Sequence, residues 1–236
     1  MNFKNFNELD FEDFNSDYHI HSTWTDGKPS VSEIFEHCNR NNIKSFGLSD
    51  HVRSSSTYYD EYIKEINFYK SKFKNLNVFI GFESKILEKN KIDIPSKLIS
   101  LSDYIISSVH SIILNGKVHH PKKLSYAECL DFEFKVLSTY QQKIHKNNFI
   151  GHIFGMTLKY HKKIDLNKFE DICKIMKKRK IPIEISYKYH YLFLNEIIGI
   201  LKRINPIIII NSDAHELDEI TYIKKNKLIE NILIEN

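Results

Sequence analysis

The stretch DYHIHSTWTDG, residues 17–27, places two histidines two positions apart at the end of a short alternating run. Side chains on an extended strand alternate between its two faces, so His19 and His21 point to the same side. The spacing therefore aims two imidazoles at one point. Imidazole is the commonest metal ligand among protein side chains.

Acids and other histidines close or directly follow further apolar runs of the chain. With the first pair they are His19, His21, Asp50, His51, Glu83, His110, His152, Asp213 and His215. Clustered carboxylates repel one another, and burying them is costly unless a cation neutralises them. Imidazole with carboxylate is the ligand set of Zn, Mn or Fe. Because one metal needs only three or four protein ligands, these candidates predict two or three divalent ions that share carboxylates, an arrangement suited to phosphate-ester hydrolysis.

Seven short runs rich in apolar and β-branched residues predict the strands that position these side chains. They span residues 17–20, 44–49, 78–83, 103–109, 149–153, 181–186 and 206–212. Several are almost continuously apolar, which is typical of parallel strands covered on both faces. Segments with helical spacing lie between them, one of which opens with a capping box at Ser30 and Glu33. A last helix is predicted from His215 towards the end of the chain.

The alternation of strands and helices predicts an α/β fold with a parallel sheet. In a parallel α/β barrel the carboxyl ends of all strands converge on one face, where active sites lie. We therefore expect the acids and histidines to meet in one cleft. At 236 residues the chain has the length of a single α/β barrel. Residues 1–16 are expected to form an N-terminal extension and residues 17–236 the barrel.

Composition favours a globular protein of the reducing cytoplasm. Hydrophobic residues make up 42% and charged residues 27% of the chain, and the formal net charge is only +4. The densest basic run, residues 174–180, ends a predicted helix and is interpreted as a solvated helix end rather than a nucleic-acid patch. Three isolated cysteines form no disulfide framework or zinc motif. The N-terminus lacks the pattern of a signal peptide, and no apolar run approaches the ~18 residues of a membrane span.

The ordered motifs resemble the PHP (polymerase and histidinol phosphatase) family. They are DYHIHSTWTDG, GLSDH, GFES, YIISSVHS, IGH and INSDAH, and they extend from Asp17 to about Ile220. Single motifs of this set are weak, but their order is specific. The resemblance implies a distorted (β/α)7 TIM-like barrel with a trinuclear metal site.

The resemblance also implies a role for each matching residue. A first metal would be held by His19, His21, Glu83 and Asp213, a second by Glu83, His110 and His152, and a third by Asp26, His51 and His215. Asp26 lies in the loop after the first strand, where Gly27 permits a tight turn that brings the carboxylate back. Glu83, Asp213 and His215 are the residues on which catalysis is expected to depend.

Basic residues just past strand ends are candidates for phosphate binding. Arg53 is the first choice, Lys85 follows Glu83 by two positions, and His190 lies in a tyrosine-rich loop that could contact substrate. Asp50 either orients an imidazole or caps its loop. Glu184, on the sixth strand, is either an acid that supports a ligand or a hydrogen-bond partner in the core.

These expectations predict a metal-dependent phosphoesterase, specifically a histidinol-phosphatase-like enzyme that hydrolyses a small phosphomonoester by means of a metal-bridging hydroxide. One alternative is a phosphodiesterase or exonuclease acting on nucleic-acid ends. Another is a non-catalytic, metal-binding regulatory module. Nucleotide-cofactor and serine-hydrolase motifs are absent. The sequence indicates no membrane partner and leaves the oligomeric state open.

Overall fold

The computed structural model describes residues 1–220 except residues 2, 88–89, 115 and 142–143. Its strands are β1 (Lys4–Asn5), β2 (Ser16–Ile20), β3 (Ser45–Leu48), β4 (His51–Val52), β5 (Asn77–Lys85), β6 (Tyr104–Ser108), β7 (Ile112–Leu114), β8 (Lys117–His119), β9 (Asn148–Ile150), β10 (Ile183–Ser186) and β11 (Ile207–Asn211). Each of the seven predicted strands is present among these elements. The largest error in their bounds is at the fifth, which ends at Ile150 rather than at residue 153.

Helices separate most of the strands. They are α1 (Phe11–Phe14), α2 (Val31–Arg40), α3 (Tyr59–Lys72), α4 (Leu98–Leu101), α5 (Tyr126–Thr139), α6 (Gly155–His161), α7 (Leu166–Arg179), α8 (Tyr187–His190), α9 (Leu194–Ile204) and α10 (Leu217–Ile220), with short 3-10 turns at Phe6–Glu8, Pro121–Lys123 and Tyr191–Phe193. The capping box at Ser30 and Glu33 begins α2, as predicted. Of the predicted last helix, everything beyond Ile220 lies outside the described residues.

Seven parallel strands form the wall of a distorted α/β barrel. The strand order is β11-β10-β9-β6-β5-β3-β2, and every neighbouring pair in it is parallel. At the two ends of this series, Ile20 of β2 forms a parallel bridge with Ala214, which lies three residues beyond β11. Around that bridge, His21 N donates to Ala214 O at 2.9 Å and Ala214 N donates to His19 O at 3.0 Å. The ring is thus joined by a narrow seam rather than by a full ladder.

Aromatic side chains fill the barrel below the carboxyl ends of the strands. Tyr104 stacks on Phe149 with ring centroids 5.9 Å apart, and its hydroxyl donates to Leu48 O at 3.2 Å. A Cβ at Gly81 would lie 2.1 Å from the Tyr104 ring, so glycine is needed where this ring crosses β5. The packed floor supports the polar site above it.

The segment before Asp17 packs against the sheet. Its strand β1 pairs antiparallel with β11, and Phe6 and Phe14 are both buried. The boundary between an N-terminal extension and the barrel stays a prediction. Within the described part of the chain, no helix is long and apolar enough to cross a bilayer.

Candidate metal centre

The predicted ligands meet above the aromatic floor, at the carboxyl ends of the strands. Three overlapping groups each bring one ligand atom per residue within 4.8 Å of the others. These groups are His19–His21–Asp213, His51–Glu83–His110 and His21–Asp26–His51–His215. His152 joins them because its Nε2 lies 3.2 Å from that of His110. All nine predicted metal ligands therefore belong to one contiguous network, while their division among individual ions stays a prediction.

Glu83, near the end of β5, occupies the middle of the network. Its Oε1 lies 3.0 Å from Nε2 of His110 and 3.1 Å from Nε2 of His152. Its Oε2 lies 3.0 Å from Nδ1 of His51 and 3.4 Å from Nε2 of His19. The two oxygens thus face different sets of imidazoles, which is the arrangement a bridging carboxylate requires.

Asp213 and the first two histidines form the deepest part of the site. Oδ1 of Asp213 lies 3.2 Å from Nε2 of His21 and 3.4 Å from Nε2 of His19. All three side chains are buried. Asp213 has φ +57°, a left-handed conformation that Asp adopts more readily than most residues.

Asp26 forms the outer rim of the network. Its Oδ2 lies 3.3 Å from Nε2 of His51 and 3.4 Å from Nε2 of His215, and its side chain is 53% exposed. The turn that returns this carboxylate requires the following glycine, because a Cβ at Gly27 would lie 2.2 Å from the carbonyl oxygen of His21. The spacing TDG thus has the structural reason predicted for it.

Unpartnered atoms test whether this network fits divalent cations. Among the described residues, Nε2 of His19 and both ring nitrogens of His21 are buried and make no contact with hydrogen-bond geometry, and neither does Oε2 of Glu83 despite its closeness to His51. Buried polar atoms are normally satisfied, so a cluster of orphaned ones calls for an ion. Nitrogen and carboxylate donors at these positions suit Zn, Mn or Fe. The residues present therefore fit a divalent metal centre.

Electrostatics leave some members of the network ready to bind a cation and keep others protonated. Burial acts to raise the pKa of Glu83, but His110, His19 and His51 outweigh it and hold that pKa well below the usual range. Burial lowers the pKa of His21 to about 4, so this imidazole is neutral near pH 7 and has a free lone pair. His51 differs: burial opposes its charge, yet Glu83 and Asp26 raise its pKa to about 10. A bound cation would replace that proton.

Glu184, on β10, supports the network without being one of its nine members. Its Oε1 lies 2.8 Å from Nδ1 of His19 and accepts from Nδ2 of Asn211 at 2.7 Å. Its Oε2 accepts from the backbone N–H of His152 at 2.7 Å. Burial opposes the charge of His19, but Glu184, Glu83 and Asp213 raise its pKa well above the usual value. Because an ionised carboxylate only accepts, Nδ1 donates to Glu184, and a bound cation would displace the proton on Nε2, which faces Glu83 and Asp213. Of the two roles considered for Glu184, the structure supports that of an acid orienting a ligand.

Two other buried acids hold the loops that carry ligands. Asp50 accepts from the backbone N–H and hydroxyl of Ser22 at 3.0 and 2.7 Å and from the hydroxyl of Thr25 at 2.6 Å. These partners belong to the loop after β2, which carries Asp26, and not to the loop of Asp50 itself. Asp17 accepts from the hydroxyl of Ser212 at 2.5 Å and ties β2 to the end of β11. Sequence reasoning missed Asp17, although its place in DYHIH, two residues before His19, gave a signal.

A cleft of about 360 Å³ opens over the network, and Arg53 and Lys85 line it as expected from their positions. His190 does not. It is fully buried, and its ring nitrogens lie 2.9 Å from the backbone oxygens of Ser186 and Ile153. The expectation that His190 contacts substrate is therefore wrong, because its ring bridges two backbone segments inside the fold.

Sequence reasoning also missed part of the cleft wall. Its remaining members include Met156, Lys159 and Tyr160 of α6 and Tyr189 of α8. The Tyr189 ring lies 5.0 Å from that of His152, between centroids. The helix that brings Lys159 to the cleft follows two residues with positive φ, His152 and Phe154, which the sequence does not indicate.

Comparison with known proteins agrees with this geometry. The model of the PHP domain family matches residues 17–188. A provisionally assigned histidinol phosphatase from Listeria monocytogenes superposes with a TM-score of 0.70 at 15% identity, covering 88% of this chain and 97% of that one. At this identity the likeness shows the fold alone. The DNA polymerase/3'-5' exonuclease PolX of Bacillus subtilis is 28% identical over 102 residues, which are 40% of this chain and only 18% of that protein.

The chain belongs to the PHP family, since the family model covers most of its length. Family membership and the histidine–carboxylate clusters together support a metal-dependent phosphoesterase. The family match and the residues at the carboxyl ends of the strands therefore support the same class of protein, a metal-dependent phosphoesterase.

Proposed function

We propose that this protein is a phosphatase that hydrolyses a small phosphomonoester. The observation that supports this most strongly is the position of the nine-residue network on the floor of a cleft whose wall carries Arg53 and Lys85. A cleft of about 360 Å³ is near the lower end of the ~300–1,000 Å³ typical of small-molecule sites. A phosphoryl group on that floor would meet positive charge from below and from the side.

Two or three divalent ions, Zn, Mn or Fe, are proposed as the cofactors. When bound, such ions neutralise the phosphoryl oxygens and lower the pKa of water towards neutrality. The nine ligands proposed to hold them are His19, His21, Asp26, His51, Glu83, His110, His152, Asp213 and His215.

The protein's own groups would hold and orient the site. Glu83 would face two ion positions with its two oxygens, and Asp213 would fix the deepest one. Nδ1 of His215 lies 3.0 Å from the backbone oxygen of Asp213. The same Nδ1 lies 3.1 Å from Nζ of Lys188, and these contacts hold the ring with Nε2 towards Asp26. Arg53 and Lys85 would bind the phosphoryl oxygens that the ions leave exposed.

The test is phosphate release from a panel of phosphomonoesters, p-nitrophenyl phosphate included, with Mn, Zn and Fe supplied separately. We expect turnover with at least one metal and its loss to background in Glu83→Gln, which keeps the side-chain volume but removes the charge shared by both ion positions. Glu36→Gln, at an exposed position of α2, is the matched control and should keep full activity. Equal metal content and activity in Glu83→Gln and wild type would refute the proposal.

The PolX match favours a second candidate, a phosphodiesterase acting on nucleic-acid ends. It predicts salt-sensitive cleavage of single-stranded oligonucleotides, because phosphate contacts release counterions. Activity on p-nitrophenyl phosphate without oligonucleotide cleavage would exclude it. A fully metallated protein inactive on all these substrates would instead indicate the non-catalytic regulatory module.

We also propose a cytoplasmic location. The three cysteines, Cys38, Cys129 and Cys173, are buried as reduced thiols, which is expected in a reducing compartment.

A further inference from the structure

The charge of the cleft wall goes beyond what phosphoryl binding requires. Three basic side chains line the cleft, namely Arg53, Lys85 and Lys159. The carboxylates that line it all belong to the metal network, and they are Asp26, Glu83 and Asp213. Among the described residues, the wall outside the network therefore offers cations to a ligand and no acid.

These three cationic side chains are available to bind a ligand. Within the described part of the chain, none of the three lies within 4 Å of a carboxylate oxygen. Nζ of Lys85 lies 3.3 Å from the hydroxyl of Ser111, and Nζ of Lys159 lies 5.9 Å from the centroid of the Tyr160 ring. Asp93, whose charge acts on Arg53 and Lys85, already accepts from Ser54 N and Oγ at 2.9 and 2.7 Å.

The three cations approach the cleft from two places. Arg53 follows His51 by two residues, and Lys85 follows Glu83 by two on the same strand and so shares its face. This pair lies beside the floor, where the phosphoryl group would bind. Lys159 comes from α6, which follows β9, and β9 is separated from β5 by β6. Lys159 therefore lines the cleft at a different place from Arg53 and Lys85, where it is available to bind another part of the ligand.

We infer that the substrate is a small phosphomonoester whose leaving group carries a second anionic group, a carboxylate or another phosphate, bound by Lys159. This inference rests on the proposed phosphatase function and narrows its substrate class. An amino-alcohol phosphate such as histidinol phosphate would instead place an ammonium group against a wall of cations. Like charges repel at close range, even though Arg53 and Lys159 are exposed, so such a substrate is disfavoured.

Non-hydrolysable phosphonates test the inference by binding alone. We would measure the Kd values of 3-phosphonopropionate, propylphosphonate and 2-aminoethylphosphonate by calorimetry on the Mn-loaded protein. These ligands have anionic, neutral and cationic tails of similar size. We expect the anionic ligand to bind about tenfold more tightly than the neutral one and the cationic ligand to bind most weakly.

Lys159→Met should abolish this order by bringing the first two Kd values together, whereas Lys178→Met, an exposed lysine of α7, should leave it unchanged. Phosphate release from 3-phosphoglycerate, fructose 1,6-bisphosphate, fructose 6-phosphate and phosphoethanolamine then separates carboxylate from phosphate as the second group.

Equal or tighter binding of the cationic phosphonate, an unchanged order in Lys159→Met, or tighter binding of a 5'-phosphorylated oligonucleotide than of any phosphonate would overturn the inference. The expected binding order without hydrolysis of any ester, p-nitrophenyl phosphate included, would refute the phosphatase function instead.

Discussion

Glu184 shows at the scale of single residues how a buried acid outside the ligand set can govern it. One of its oxygens meets His19 and Asn211, and the other holds the backbone of His152. Two ligands from distant parts of the chain thus depend on one side chain. The burial of Glu184 alone would raise its pKa, but His19, through charge and hydrogen bonding, lowers it, so the acceptor stays charged.

We predict that Glu184→Gln weakens metal binding by about 10- to 100-fold without unfolding the barrel. Glu184 accepts hydrogen bonds at both of its oxygens, whereas a glutamine amide has one oxygen and one NH2 group. The NH2 group would face either His19 or the backbone N–H of His152, so one of these two residues loses its fixed orientation. Competition with a fluorescent chelator measures the affinity, and circular dichroism checks the fold. Glu196→Gln, at an exposed site on α9, is the control. Unchanged affinity in Glu184→Gln would contradict the role assigned to this acid.

The sequence predicted the ligands better than the groups that orient them. His19, Glu83 and Asp213 could be found because a polar residue at the end of an apolar strand is conspicuous, and parallel strands bring such ends together. Asp17 and Glu184 lie within strands, where the sequence marks an acid as unusual but does not indicate which groups it contacts. His190 was misassigned because a histidine in a polar loop looks the same whether it faces solvent or, as here, two backbone oxygens.

At the scale of elements, the start of α6 decides the shape of the cleft. His152 and Phe154 both have positive φ, +20° and +58°, and the chain turns sharply between β9 and the helix. Glu133 of α5 then accepts from the backbone of Met156 at 3.2 Å and of Thr157 at 2.7 Å. These bonds satisfy donors of the first helical turn and fix the helix that presents Lys159. Non-glycine residues rarely adopt positive φ, so the sequence could not predict this turn.

We predict that Glu133 makes stability fall as pH rises from about 5 to 8. Burial raises the pKa of this carboxyl from 4.5 to about 7, although hydrogen bonds from Thr157 and Met156 oppose the shift. The folded state therefore binds this proton more tightly than the unfolded state. The resulting stabilisation of the folded state is complete below pH 4.5 and is lost as the pH rises above about 7. The shift corresponds to about 3 kcal/mol at most.

Urea unfolding of the metal-saturated protein at pH 5, 6, 7 and 8 measures this effect. As pH rises, the unfolding free energy of wild type should fall relative to that of Glu133→Gln. Glu36→Gln, at an exposed site, should follow the wild-type slope. Parallel pH profiles of wild type and Glu133→Gln would show that the carboxyl does not titrate in this range.

At the scale of the whole molecule, the network joins nearly the entire barrel. Ligands come from within or beyond β2, β5, β6, β9 and β11 and from β4 beside β5, while β10 contributes Glu184. The seven strands and their parallel pairing could be predicted from apolar runs and alternation, and their barrel arrangement from the family resemblance. The narrow contact between β2 and β11 could not, because it depends on how far the strands tilt and not on the pattern of any one of them.

We predict that removing the metals lowers the Tm by about 5–10 °C. An ion present at 100 times its Kd stabilises the folded state by about 2.7 kcal/mol, and in a chain of this size 1 kcal/mol corresponds to about 2–4 °C. Differential scanning fluorimetry with and without EDTA measures the change, and added Mn should restore the original Tm. The same Tm with and without chelator would show that the network does not bind ions tightly.

The seam between β2 and β11 couples ion exchange to breathing of the sheet. The backbone hydrogen bonds of His21 and Ala214 alternate along the chain with the ligands His19, His21, Asp213 and His215, so these two strands cannot part without pulling ligands off an ion. An ion bound by these ligands would hold β2 and the segment after β11 together at the narrow seam. Loading with metal should therefore slow deuterium uptake at these two amides more than at amides within the β5–β6 ladder.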